Sequence, residues 1–288
     1  MIITKLIGGL GNQMFQYAAG RRAAHTNQTE LKLDTSWFKN PNGAIQRDYL
    51  LNVFNIEEAF ASEEKLNKFR GARQNVLIKL IASYYKRPYV KQRFSYFDKN
   101  ILKVNDNTYL DGYWTSEKYF KDIEEIVRKE FTFKDKPDAV NQKMINSIKN
   151  CDSISIHIRR GDYIFDETTN KYHGVCGLDY YSNSVAMIVK KVKNPYFFIF
   201  SDDIKWVKQN LHLKFPCVYV DYNIGKKDYE DMRLMSNCHH NIIANSSFSW
   251  WGAWLNQYKN KIIIAPKKCF RDKSIDTTDL IPQPWIKI

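Results

Sequence analysis

The chain has 288 residues, room for one large domain or two medium ones. Its 44% hydrophobic and 15% aromatic content rule out a disordered polymer. Its 44 Lys and Arg against 31 Asp and Glu give a formal net charge of +13, which favours acidic partners without choosing among nucleotide phosphates, nucleic acid and anionic membrane.

Cys151, Cys176, Cys217, Cys238 and Cys269 lie far apart with no Cys-x-x-Cys pair, which argues against a disulfide framework or a zinc knuckle. Cys238-His239-His240 hints at a metal. Adjacent histidines opening a strand point to opposite faces, however, which argues against a shared ion. Met1 to Ile7 is too short for the apolar core of a signal peptide. No apolar run approaches the roughly 18 residues that span a bilayer. A cytoplasmic protein is therefore expected.

Ile2 to Ile7 reads as a strand, Gly8 to Gln13 as a glycine loop, Met14 to Thr26 as a helix and Glu30 to Asp34 as a second strand. That order opens a Rossmann-like unit. Residues 63–103 stand apart, with eleven Lys and Arg against three acids around the apolar stretch Val76 to Tyr85. A basic amphipathic helix fits, either as a solvated helix with one core face or as a helix lying on anionic membrane. Tyr109 to Trp114 suggests a strand and Glu117 to Glu130 a helix. A proline-broken charged stretch, 134–138, precedes a linking helix from Asp138 to Asn150.

Beyond it, strands are predicted near 153–160, 196–201, 217–221, 241–244 and 261–265, and helices near 179–193, 203–211, 228–237 and 248–258. Such alternation implies a parallel sheet covered on both faces. Two Rossmann-like domains with parallel sheets, 1–145 and 146–288, are the simplest α/β architecture.

His157-Ile158-Arg159-Arg160-Gly161-Asp162-Tyr163 is the most informative stretch. Ile154, Ile156 and Ile158 share one strand face, and Ser155, His157 and Arg159 the other. His157 and Arg159 therefore meet at a strand's carboxyl end, where open α/β sheets bind ligands. A guanidinium fork there suits phosphate.

Phe197-Phe198-Ile199-Phe200 delivers Ser201-Asp202-Asp203 to a second strand end. The carboxylates suit a divalent metal or the N1 and N2 donors of guanine; Ser201 or Asp202 suits a helix cap. Ile242-Ile243-Ala244 leads into Asn245-Ser246-Ser247-Phe248, a helix start whose free N–H groups make an anion site. Trp250 and Trp254, four apart, read as core packing. The glycine loop (Gly9, Gly11, Asn12, Gln13) lacks both the Walker and the G-x-G-x-x-G spacing. It marks a tight turn that a ligand can approach, with the Asn12 and Gln13 amides available to a sugar. Together the three strand ends would line one crevice suited to a nucleotide diphosphate.

Gly8 to Tyr17, His157 to Tyr163, Ser201 to Asp203 and Asn245 to Leu255, in that order, together resemble the α-1,2-fucosyltransferases of glycosyltransferase family 11. The resemblance implies a GT-B-like fold with two facing Rossmann-like domains, acceptor side first and donor side second. It implies a GDP-fucose donor, inversion at the fucose anomeric carbon and no metal. It assigns Arg159 to the β-phosphate, His157 to the nucleotide, Asp202 and Asp203 to guanine or ribose, and Ser246, Ser247 and Phe248 to the diphosphate. Asn12 approaches the acceptor or the phosphate. Asp162 is the first choice of general base and Glu167 the second, with bracing of Arg159 or Arg160 the alternative role for Asp162.

Animal members carry a membrane anchor. This chain looks more like bacterial members acting on O-antigen or other surface-glycan precursors at the inner membrane face, with segment 63–103 toward lipid. The acceptor would be a glycan, such as a β-galactoside. The competing readings are another nucleotide-sugar glycosyltransferase, metal-dependent through Asp202 and Asp203, and a nucleic-acid-binding protein. The last is disfavoured because no recognition helix or RNA-binding motif appears.

Overall fold

The structure, a computed structural model, describes residues 1–39, 41, 46–166, 170–171, 174–272 and 275–288; the side chains of Gln74, Lys79, Asp162 and Phe165 also lie outside the description. The chain divides into two compact units, residues 1–134 with 278–280, and residues 135–277 with 281–288. The division falls before the linking helix rather than at 145, because that helix packs on the second unit's sheet and on a helix of the same unit.

In the first unit, β1 (Ile2–Lys5), β2 (Leu31–Asp34), β3 (Tyr89–Lys91) and β4 (Thr108–Asp111) form a parallel sheet in the order β2-β1-β4-β3. Helix α1 (Leu10–Thr26) lies close on it. A methyl group added at Gly20 would sit 2.9 Å from Thr4 and Leu31, so the sheet tolerates only glycine there. Thr4 Oγ1 also donates to the Gln16 carbonyl, and the Ile7 amide donates to Gln16 Oε1.

The basic segment is broken into pieces rather than one helix. Ser62 caps α2 (Glu63–Gln74) and Asn75 caps α3 (Val76–Ile81). Tyr89–Lys91 then joins the sheet as its edge, a strand that sequence pattern does not reveal because it is three residues long and follows Pro88. Helix α4 (Glu124–Glu130) closes the unit.

The second unit follows the predicted alternation. Helix α5 (Ala139–Lys149) leads to β5 (Asp152–Ile158), α6 (Gly161–Phe165), α7 (Leu178–Ile188), β6 (Pro195–Ser201) and α8 (Ile204–Asn210). Then come β7 (Cys217–Val220), α9 (Tyr229–Asn237), β8 (His240–Ile242), α10 (Ser247–Leu255), β9 (Ile263–Ala265) and β10 (Ile286–Lys287). The sheet is parallel throughout, in the order β10-β9-β8-β5-β6-β7.

Ile154, Ile156 and Ile158 pack with Tyr181, Val185 and Ile188 of α7 and Val207 of α8, forming the core on one face. On the other, Asn241 donates to Ser155 Oγ and to the Met235 carbonyl, tying β5, β8 and α9 together. Trp250, Trp251 and Trp254 are buried against one another and Trp285, as core packing requires. Among the described residues no helix is long and apolar enough to cross a membrane.

Candidate active site

The strands β8, β5 and β6 are neighbours, and their carboxyl ends release Asn245-Ser246, Arg159-Arg160 and Asp202-Asp203 from one edge of one sheet. This is the ligand-binding edge of an open parallel sheet. The strand stops at Ile158, two residues earlier than its alternation suggests, so both arginines lie in the connection to α6. Gly161 opens a short helix instead of a turn.

The two arginines are set by the two aspartates. Asp202 Oδ1 accepts the Arg160 backbone amide at 2.8 Å, and Asp202 Oδ2 lies 3.2 Å from Arg159 Nη1. Asp203 Oδ2 accepts from Arg160 Nε at 3.2 Å, while Asp203 Oδ1 caps α8 through the Trp206 amide. The cap is thus Asp203, not Ser201 or Asp202; the Ser201 hydroxyl accepts from the Asp203 amide. Arg160 stacks 3.4 Å over the Trp206 ring, and Arg159 lies 5.5 Å from the Tyr163 ring centre. Both carboxylates are engaged by guanidinium groups, so a divalent cation there would have to displace both arginines. Among the described residues no three His, Cys, Asp or Glu side chains are grouped to hold a metal ion.

His157 is 4% exposed and its ring lies 5.7 Å from Phe248. Its Nδ1 is buried with no hydrogen-bond partner among the described residues. Burial, then the Arg159 charge, pushes its pKa down to about 3. The imidazole is therefore neutral at physiological pH and adds no positive charge to the site, contrary to the pairing of two cations that the sequence suggests.

Helix α10 starts where expected. Ser246 is its N-cap, its Oγ accepting from the Phe248 amide at 3.3 Å. Ser247 begins the first turn. Asn245 was an unspecified cap candidate and proves to be a tie: its Nδ2 donates to the Gly174 and Cys269 carbonyls, and its carbonyl accepts from Tyr163. Asp162 lies on α6, with its side chain outside the described residues, and Glu167 lies outside them altogether.

In the first unit, helix α1 begins at Leu10, because the Gly9 carbonyl accepts from the Asn12 and Gln13 amides. Gly11, Asn12 and Gln13 therefore form the helix's first turn rather than a loop. Gly8 has φ +77°, the left-handed region natural to glycine, and a methyl group there would meet Asn12 Nδ2 at 2.8 Å. Gln13 is fully buried: its amide donates to the Gly8 and Asp48 carbonyls and accepts from the Leu50 amide. It braces the turn and is not available to a sugar.

Sequence reading missed a charged row at the carboxyl edge of this sheet. The last residues of β2, β1, β4 and β3 are Asp34, Lys5, Asp111 and Lys91, with Lys5 in register with Asp34 and Lys91 with Asp111. Lys5 pairs with Asp111 at 3.4 Å, Tyr89 donates to Asp111, and Arg70 and Tyr109 hold the buried Asp34. Burial works against the Asp34 charge, but hydrogen bonds from Tyr109 and Ser36 and the Arg70 charge hold its carboxyl below the usual range. The recurring signal was a charged residue closing each short strand.

The sequence matches the family described as Glycosyl transferase family 11 over residues 1–288. It is 35% identical over 296 residues to the alpha-1,2-colitosyltransferase of Escherichia coli, a match covering 100% of this chain and 99% of that protein. It is 34% identical over 310 residues to the O-antigen biosynthesis glycosyltransferase WbnK of Escherichia coli, covering 98% and 99%. The crystal structure of the fucosyltransferase NodZ from Bradyrhizobium superposes with a TM-score of 0.50 at 13% identity, over 87% of this chain and 91% of that one. At that identity the likeness is one of fold, and with the two parallel sheets it is the GT-B fold. With its arginine pair, its helix start and these relatives, the chain belongs to glycosyltransferase family 11 and is a glycosyltransferase.

Proposed function

We propose that this enzyme moves L-fucose, with inversion, from GDP-fucose to the 2-hydroxyl of a β-galactosyl acceptor in a surface-glycan or O-antigen precursor at the inner membrane face. The observation that carries this reading is the Asp202–Arg159 pair at the carboxyl edge that also releases the start of α10. As the anomeric carbon–oxygen bond breaks, the electron pair leaves with the β-phosphate of GDP. A fixed guanidinium and a helix N-terminus at that charge stabilise it without waiting for solvent to reorganise. Neutral His157, beside Phe248, offers a hydrogen bond to the nucleotide without adding charge. Ser246, Ser247 and Phe248 surround the diphosphate.

Asp202 and Asp203 position the arginines, and their remaining lone pairs serve guanine's N1 and N2 donors. The acceptor oxygen attacks the opposite face of the sugar and gives its proton to Asp162 as general base. The second unit takes the donor. The first takes the acceptor, through Asn12 and the Asp34–Lys5–Asp111–Lys91 row.

A second donor is favoured by the 35% identity to a colitosyltransferase. Colitose is fucose without its 3-hydroxyl, so GDP-colitose tests a single hydrogen-bonding group. A site built to bind that hydroxyl rejects the deoxy sugar by a factor of about 10⁴. Calorimetric titration with GDP and UDP, in the wild type and in Arg159→Ala, tests the donor reading. GDP binding that is lost in the variant supports it; equal affinity for UDP, or retained GDP binding, contradicts it.

A further inference from the structure

Helix α3 is an apolar tip with no cover. Val76, Leu77, Leu80 and Ile81 are 65% to 83% exposed on a helix of six residues. Isolated exposed aliphatics are ordinary on protein surfaces; four in six consecutive positions form a patch of the kind that meets another phase or partner.

What surrounds the tip identifies that partner. The chain leaves the helix at Ala82, whose carbonyl accepts from Arg87 Nε at 3.2 Å. Arg87 and Arg93 both lie over the Tyr84 ring, at 5.4 and 4.8 Å. Arg93 also lies 5.7 Å from the Phe94 ring, and Phe94 stacks on Tyr96 at 4.8 Å, both rings well exposed. Arg73, Lys86, Lys91 and Lys99 are exposed on the same segment. An aliphatic tip ringed by aromatic and basic side chains matches the layers of an anionic bilayer: acyl chains, the interfacial zone that tyrosine prefers, and phosphate headgroups. A second copy of this chain is a poor occupant, since a twofold contact would press one basic ring against another.

We propose that α3 and the basic ring after it form a shallow membrane-docking surface, with Val76, Leu77, Leu80 and Ile81 entering the outer acyl region of an anionic leaflet. The docking segment shares no residue with the Arg159 site, so its failure leaves the donor reading standing.

The test is flotation of the full chain with phosphatidylcholine vesicles, with and without phosphatidylglycerol, at low and raised salt. The protein is expected to float only with phosphatidylglycerol and to be released by salt, since the basic ring is screened. Leu80→Glu with Ile81→Glu, at exposed positions where folding is insensitive, should weaken binding by ~10-fold or more. Lys86→Gln with Arg93→Gln should weaken it and flatten the salt dependence. Both variants should transfer sugar to a soluble acceptor as well as the wild type. No flotation with anionic vesicles, or unchanged flotation of the Leu80/Ile81 variant, overturns the proposal. So does a wild-type dimer in sedimentation velocity that the Leu80/Ile81 variant dissolves, which would assign the tip to a second copy.

Discussion

Asp202 holds Arg159 from across the sheet edge: its Oδ2 lies 3.2 Å from Arg159 Nη1, while its Oδ1 fixes the next backbone amide, that of Arg160, at 2.8 Å. One carboxylate thus sets both the guanidinium and the chain that carries it. The pair is partly exposed, so its value lies in orientation more than in stability.

Arg159→Ala should therefore abolish most transfer while leaving the fold intact. Loss of a preformed cation at a developing charge costs roughly 3 kcal/mol, or 10²- to 10³-fold in kcat. Asp202→Asn keeps the guanidinium but frees its orientation, and a smaller loss, about tenfold, is expected. Steady-state kinetics with melting curves check both; an active Arg159→Ala enzyme removes this arginine from the site.

Gly161→Ala separates activity from stability. A methyl group at Gly161 would lie 2.5 Å from Asp202 Oδ2. The carboxylate can swing away, so the melting temperature should stay close to the wild type's. The swing breaks the contact with Arg159, so kcat should fall about as far as in Asp202→Asn. A large fall in melting temperature with unchanged specific activity would contradict this.

His157 gives a pH signature. Its folded pKa of about 3 lies below the ordinary 6.5. Its contribution to stability is thus present above pH 6.5 and is lost as the pH falls through 3. The unfolded chain binds the proton first, so melting temperature should drop on acidification across that window, and less steeply in His157→Gln. Nitrogen-15 NMR should find a neutral ring at pH 5, an expectation that rests on the pKa near 3; an imidazolium there would mean the ring is not desolvated.

Glu230 and Arg233, 4% and 7% exposed, form a buried pair on α9 with Oε2 and Nε 2.7 Å apart. Glu230→Ala strands a buried guanidinium and should cost about 3–5 kcal/mol. Replacing both with apolar residues of similar volume should cost far less, and denaturant unfolding of the two variants measures the difference. Equal losses would mean that the pair contributes net stability.

Much of the second unit is legible in sequence because long strands with strict alternation and strong breakers leave little freedom: 152–158 and 195–201 are read almost to the residue. The convergence of Arg159, Asp202 and Ser246 is legible too, since parallel topology forces strand ends onto one edge. Their partnerships are not. Asp202 and Arg159 lie far apart in the chain, and the choice between metal, guanine and arginine depends on a register that local pattern does not carry. The first unit is less legible because its strands are three or four residues long and β3 hides behind Pro88 in a segment whose charge points to a surface helix. Gln13 looked like a sugar contact because an amide at a glycine turn gives no sign of whether backbone groups such as those of Asp48 and Leu50 will claim it.

The most direct measurement is sugar transfer from radiolabelled GDP-fucose and GDP-colitose to a β-galactoside panel, with and without EDTA. A donor site built on Arg159 and the start of α10 predicts a 2-linked product from at least one of the two donors, undiminished by EDTA. Transfer lost in EDTA and restored by a divalent cation, or transfer from UDP-sugars in preference to both, would contradict it.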